Sequence, residues 1–459
     1  MVRRRRIGFV AVAALILGIG VAIGMTLVKT GFIQTGGNNR EEHFNSPRLA
    51  ALARDLSVED AAGNEKVIDE FSRQLHGNGP LLEPVDRDPH SSWVTFLWKG
   101  DNSTRSVLVL NGPTSKAAYI WLTRLKNSDL WYRTERIAND ARFIYYFQIN
   151  WPADPPKATA DLMRVVKDCP LQTDPTNPRI ANGPPLGSLL ELSEAPAQPW
   201  LKRAPGVPKG ELSVRTLDSH ILKQERKLTI YTSSNYSAGD PSARLLVLFD
   251  GDGFLADDQI PAPIILDNLI AQKKLPPLVA VFVHQSAERD KELSCSEPFA
   301  DFVARELVPR LRQTYRLSSK SESTIIGGMS TGGMMAAYCG YRDPEVFGNV
   351  LSLSGTFYWY PGFDEGTAPP DTETGWLTRQ FVTGPRRPVR LYVAVGRLEA
   401  GFPINSLVEG RRFRDVLEAK GYSIHYREYT GGYDVVGWRG PFVEGLIALT
   451  TTDGKKESK

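Results

Sequence analysis

Cysteine is scarce: the 459 residues hold only Cys169, Cys295 and Cys339. Three are too few for a disulfide framework and have no metal-site spacing, so at most one bridge can form. Net charge is nearly absent, +3 from 55 basic and 52 acidic side chains, which removes any argument for a nucleic-acid partner. No internal repeat or low-complexity block interrupts the chain. Histidine is rare as well, with six residues in all, so few side chains titrate near neutral pH.

What is present has the apolar and charged fractions of a globular protein, and the length of two or three domains. Arg3 to Arg6 precede an uncharged, mostly apolar run of 22 residues, 7–28, closed by Lys29. Such a run spans a bilayer of ~30 Å as a helix, and the arginines before it favour a cytoplasmic N-terminus with the body exported. The run is longer than the usual apolar region of a signal peptide and ends on no small-x-small site, so an uncleaved anchor is expected. A secreted product after signal cleavage is the alternative, and a twin-arginine export signal a further one. Residues 29–47 are polar and Gly/Asn-rich, which suits a tether.

The segment 48–185 is expected to hold a helical stretch and a β domain. Leu49, Leu52 and Leu56, then Val67, Ile68, Phe71 and Leu75, recur at helical spacing. Short strands are predicted over 93–98, 105–110, 118–125 and 142–150, the spacing of an all-β sandwich, with Trp98, Trp121, Trp131, Tyr145, Tyr146 and Trp151 as core. Residues 169–200 are rich in Pro, Asn and Gly and read as the connection, with the linker proper at 186–205. From 206 to 459 strand and helix alternate. Strands are expected at 245–249, 278–283, 323–327, 349–353, 390–395 and 422–428, and helices at 263–272, 299–315, 409–420 and 440–449. The fold class is therefore α/β, a doubly wound sheet with sites at the carboxyl ends of its strands.

Within that region, Ile325 and Ile326 lead into Gly328-Met329-Ser330-Thr331-Gly332, where a short apolar strand meets a helix. This is the pattern of a nucleophile elbow, in which glycines permit a sharp strained turn that presents a serine. A helix starting at Thr331 aims its first amides at the place where an oxyanion would form. On the motif alone, a Gly-rich turn carrying an ordinary serine reads the same way.

Other strings carry a resemblance. Leu248-Phe249-Asp250-Gly251, Leu275-Pro276-Pro277, Arg289-Asp290-Lys291-Glu292-Leu293-Ser294-Cys295, Phe347-Gly348, Leu351-Ser352-Leu353-Ser354-Gly355, Gly431-Gly432-Tyr433-Asp434 and Trp438-Arg439-Gly440 occur in order with the elbow. Together they resemble the enterochelin (enterobactin) esterase family. Phe96-Leu97-Trp98 and Asp174-Pro175-Thr176-Asn177-Pro178 are similar to that family's N-terminal domain, so the resemblance covers nearly everything after the tether. It implies an immunoglobulin-like sandwich before an α/β-hydrolase-like domain that opens ester bonds of iron-loaded catecholate siderophores without a cofactor or bound metal.

The family's chain order of serine, acid, histidine would make Ser330 the nucleophile and Glu399, in Val395-Gly396-Arg397-Leu398-Glu399, the acid. The oxyanion donors would be the Thr331 amide and one near Asp252 or Gly253. At the base the chain departs: Tyr433 stands where the family has histidine, and a phenol with a pKa near 10 is protonated at neutral pH. His284, at the end of the strand 278–283, is the substitute to weigh. His425 lies within a strand, and His43, His76, His90 and His220 fall outside the hydrolase core. An iron-catecholate is anionic and aromatic, so Arg289 and Arg439 are expected contacts, with Trp438 stacking beside them. Three readings stand: an esterase for an iron-siderophore, an esterase for other acyl or sugar esters, and a binder of a siderophore or envelope partner built on an esterase frame.

Overall fold

The computed structural model describes residues 44–56, 61–77, 79–111, 119–152, 165, 167–181, 186–363, 375–399 and 406–451. The apolar run 7–28 and the tether up to residue 43 lie outside them. Among the described residues no helix is long and apolar enough to cross a membrane. The chain divides into two compact units, the first being Met1–Pro196 with Arg397–Asn405 and Thr430–Asp434, the second the remainder.

Among the described residues, the first elements of the first unit are helices Pro47–Leu56 and Ala61–Leu75. The Leu49 amide donates to Ser46 Oγ at 3.1 Å, and Pro47 supplies no amide where none has a helical partner, which starts the first helix cleanly. Leu49, Leu52, Leu56, Ile68, Phe71 and Leu75 gather on one side, as their spacing predicts, against Leu81, Leu97 and Leu130.

Ten strands follow among the described residues: β1 (Leu81–Val85), β2 (Asp88–Lys99), β3 (Val107–Leu110), β4 (Tyr119–Trp121), β5 (Thr123–Arg124), β6 (Leu130–Ala138), β7 (Arg142–Ile149), β8 (Leu171–Gln172), β9 (Ile180–Ala181) and β10 (Gly187–Glu191). They form one sheet ordered β1-β2-β6-β5 and a second ordered β4-β3-β7-β10-β9, with β8 beside β7. Val94, Phe96 and Ile137 of the first sheet share one apolar cluster with Val109, Phe143, Tyr145, Phe147 and Leu190 of the second. The stretch expected to be only a connection therefore contributes β10, whose Ser188 to Glu191 pair with β7. Its Pro- and Asn-rich flanks hide a two-leucine strand too short to show a period.

The second unit carries β11 (Glu211–Ser219), β12 (Gln224–Thr232), β13 (Arg244–Leu248), β14 (Leu278–Val283), β15 (Thr324–Met329), β16 (Asn349–Leu353), β17 (Arg390–Gly396) and β18 (Ser423–Tyr429). Their spatial order is β11-β12-β14-β13-β15-β16-β17-β18. The pairings are parallel from β14 through β18, and only the β11–β12 hairpin runs antiparallel to its neighbours. All six residues of β14 are buried, as a parallel strand covered on both faces requires. Each buried aliphatic there contributes about 1.5–3 kcal/mol.

From β13 the chain goes to β14 on one side and returns to β15 on the other. The carboxyl ends of β13 and β15 thus flank the switch point where sheets of this kind place their sites. The helix expected over 299–315 is not uniform: Glu297–Asp301 and Val308–Tyr315 are α-helical, but Phe302–Leu307 is a π turn. Pro309 lacks an amide and crowds the carbonyl of Arg305, so the ladder is reset just before it.

Candidate active site

Ser330 sits between β15 and the helix Thr331–Arg342 with φ 59° and ψ −129°, a conformation that side-chain-bearing residues rarely adopt. Strain of this kind costs of order 1–3 kcal/mol and persists only where the surroundings impose it. Here they do. The Ser330 amide donates to Leu353 O at 2.8 Å, while Ser330 O accepts from the amides of Gly333 (2.9 Å), Met334 (3.2 Å) and Thr356 (3.3 Å). A Cβ on Gly328 would lie 2.5 Å from the Gly332 carbonyl carbon, so the strand and helix close on each other only with glycine there. Thr331 opens the helix, where amides have no intrahelical partner.

The turn after β13 adjoins the elbow. Asp250 has φ 54° and precedes the short helix Gly251–Leu255. The Gly253 amide donates to Asp250 O at 3.0 Å, so of the two expected donors it is Asp252, second in that helix, whose amide has no carbonyl within the helix to serve. A Cβ on Gly253 would stand 2.5 Å from the Met329 methyl, the residue before the nucleophile.

His284 does follow β14, but both its ring nitrogens are engaged. Nδ1 meets Asp252 Oδ1 at 2.7 Å and Nε2 meets Thr229 Oγ1 at 2.8 Å, with the ring only 9% exposed. An imidazole held at both ends orients the Asp252 turn, and has no free nitrogen for a serine proton. Burial raises the Asp252 pKa, but the His284 hydrogen bond and charge, the Gln285 amide and Lys227 more than reverse it, leaving the carboxylate below its ordinary range.

The expected substrate contacts are also built into the fold. Arg289 donates from Nε and Nη2 to the two oxygens of Asp250, each at 2.6 Å. Arg439 donates to Gln259 O at 2.5 Å and Asp258 O at 2.7 Å, bracing the 256–261 turn. Trp438 is buried and donates from Nε1 to Ser354 Oγ at 2.8 Å. A sequence displays the donors a side chain owns, not the acceptors that already hold them. Ser354 itself escaped notice although its string was singled out. With φ 47° it ties β16 to Trp438 and lies 3.3 Å from Tyr429 Oη.

Cysteine offers no rival nucleophile. Cys295 and Cys339 are buried and unpaired, and burial pushes both thiols well above their ordinary pKa.

Glu399 and Tyr433 are carried by the first unit. The Leu398 amide donates to Gly431 O at 3.1 Å, which sets the turn bearing Glu399 beside the loop bearing Tyr433. The loop is pinned along its length. The Arg142 amide donates to Thr430 O at 3.0 Å, Thr430 Oγ1 to Asp140 Oδ2 at 3.0 Å, and the Ile144 amide to Asp434 Oδ2 at 3.1 Å. Glu399 is fully buried and Tyr433 half-buried.

Residues 219–449 match the family described as putative esterase, and residues 93–201 the one described as enterochelin esterase, N-terminal. The chain belongs to the enterochelin esterase family. Among its relatives, the iron(III) enterobactin esterase of Escherichia coli O6:H1 is 33% identical over 285 residues, covering 60% of this chain and 66% of that one, just under two thirds of its length. The iron(III) salmochelin esterase of the same strain is 27% identical over 433 residues, 90% of this chain and 99% of its own. The enterobactin esterase of Shigella flexneri, solved in the presence of enterobactin, superimposes with a TM-score of 0.63 at 26% identity, over 83% of this chain and 97% of that one.

Proposed function

We propose that this protein is a serine ester hydrolase acting on an iron-loaded catecholate siderophore of the enterobactin or salmochelin type. The observation that carries the reading is Ser330, held at φ 59° on the turn between a buried parallel strand and a helix N-terminus, at the switch point of the sheet. In this reading Ser330 Oγ attacks an ester carbonyl, and its proton passes to a base. The oxyanion is received by the amides of Thr331 and Asp252. The alkoxide departs as an alcohol on taking up that proton, and water then releases the acyl group from the serine. Glu399 is the acid of the triad, and Tyr433 occupies the base position.

Tyr433 also favours a second reading, a binder of such siderophores in which hydrolysis is weak. Removing one triad member leaves an acceleration of only ~10³ to 10⁴ over water. Chromatography of products from ferric enterobactin, its glucosylated form and simple acyl and sugar esters separates the readings. Release of the monomeric catechol-serine unit that is lost in Ser330→Ala supports hydrolysis, whereas tight binding with no release by the wild type supports the binder.

Around this chemistry we place an immunoglobulin-like sandwich that begins within residues 48–185 and ends with β10, so that the linker expected over 186–205 shrinks to the residues after Glu191, and the hydrolase domain over 206–459. Residues 7–28 act as a membrane anchor with the body exported. The two sheets of the first unit that share one apolar cluster support the sandwich, and Arg3 to Arg6 before the apolar run support the anchor.

A further inference from the structure

Behind the elbow lies a buried charge cluster that the proposed chemistry does not use. Asp250, with its side chain 3% exposed, receives Arg289 Nε and Nη2 at 2.6 Å each and Gln285 Nε2 at 2.9 Å. Glu292, on the same short helix Arg289–Leu293, receives Arg226 Nη1 at 2.5 Å and Gln224 Nε2 at 3.2 Å. The Arg226 guanidinium rests over the rings of Phe299 and Phe302, 5.4 and 5.9 Å from their centroids. The helix bearing Arg289 is therefore fixed from its far side as well.

Asp250 touches both halves of the nucleophile's surroundings. It is the left-handed residue from which the helix carrying Asp252 starts, and its Oδ2 lies 3.2 Å from where a Cβ on Gly332 would stand, in the first turn of the elbow helix. A carboxylate there suits the positive end of that twelve-residue helix. Left bare, however, it would oppose a negative charge forming on a substrate oxygen near the same amides. Burial alone would lower the Arg289 pKa, but the charge and hydrogen bonds of Asp250, with those of Asp290, more than reverse this and keep the guanidinium charged. Buried ion pairs add little net stability over apolar residues of the same volume, so what this one supplies is direction and charge balance.

We propose that Asp250 and Arg289 are positioning residues for ester hydrolysis: their bidentate pair fixes the β13 turn against the elbow helix and cancels the Asp250 charge beside the oxyanion donors. The inference rests on the hydrolase reading for its catalytic half and on the geometry alone for its structural half.

The test compares Arg289→Gln, Asp250→Asn and the double variant, each checked for a cooperative thermal transition. Arg289→Gln leaves a bare carboxylate, and its kcat on ferric enterobactin is expected to fall ~100-fold, the scale of one lost oxyanion contribution, with KM within about threefold. In the double variant the carboxylate is gone too, and kcat is expected to recover to within ~10-fold of wild type, a rescue that mere loosening would not produce. Hydrogen exchange over residues 249–256 is expected to quicken in Arg289→Gln while residues 324–329 stay protected. An unchanged kcat in Arg289→Gln, a double variant as slow as the single, or unaltered exchange over 249–256 would each overturn the proposal. A wild type that opens no ester defeats the hydrolase reading instead, and the exchange measurement then decides alone whether the pair holds the turn.

Discussion

At position 330 the chain asks a serine to adopt a backbone conformation that glycine would accept more readily. Ser330→Gly is therefore expected to abolish hydrolysis and to raise stability by about 1 kcal/mol through relief of strain. Chemical denaturation measures it, and a destabilised variant would show that the turn is not strained. Tyr433 poses the opposite case, a half-buried residue whose chemistry does not suit a base. Tyr433→His is expected to raise kcat ~10² to 10⁴-fold, with activity climbing as pH passes ~6.5, because a positioned imidazole takes the serine proton only when neutral. No gain in pH–rate profiles would mean that another group already takes it. Ser330 was legible because a glycine, a serine and a second glycine after an apolar run describe a backbone shape. The partners that hold Arg289, Arg439 and Trp438 were not legible because Asp250, the carbonyls of Asp258 and Gln259, and Ser354 are from 39 to 181 residues away in sequence.

At the scale of elements, strands buried on both faces were the easiest to read. β14 falls where its unbroken apolar run puts it, since nothing but burial explains such a run, and β16 follows from Val350, Leu351 and Leu353 although Asn349 and Ser352 are polar. The hairpin of β11 and β12 was missed because β11 is a sheet edge with mostly exposed residues and β12 begins on Gln224, Glu225 and Arg226, so neither shows a clean period. Its function is now visible: β12 brings Thr229 to His284 and Arg226 to Glu292, and so braces the turn after β13 from a strand that sequence reasoning left blank. The His284 contact to Asp252 has a pH signature. The folded pKa of Asp252 is depressed, so its ionised form contributes stability above the unfolded value near 4 and loses it as pH falls through the lower folded value. Asp252→Asn is expected to lower the thermal midpoint at neutral pH and to flatten its decline below pH ~4. Parallel acid limbs in the two proteins would contradict the pairing.

For the whole molecule, the anchor is the prediction with the plainest readout. The full chain is expected to sediment with membranes and to expose its body to protease on the far side from the cytoplasm, and loss of residues 7–28 is expected to release it. A soluble product beginning near residue 30 would show a cleaved signal instead. A deeper property of the architecture lies in how the chain is threaded. Arg397–Asn405 and Thr430–Asp434 belong with the first unit although they follow β17 and β18 of the second. A gene cut at codon 196 therefore does not separate two modules. An exchange of the N-terminal portion between two relatives would seat a foreign β7 under a native loop at Thr430–Asp434, whose anchors are the Arg142 and Ile144 amides. Recombination that preserves function has to carry these three stretches together, so within this family the two halves of the gene are expected to be inherited as one linked block rather than shuffled.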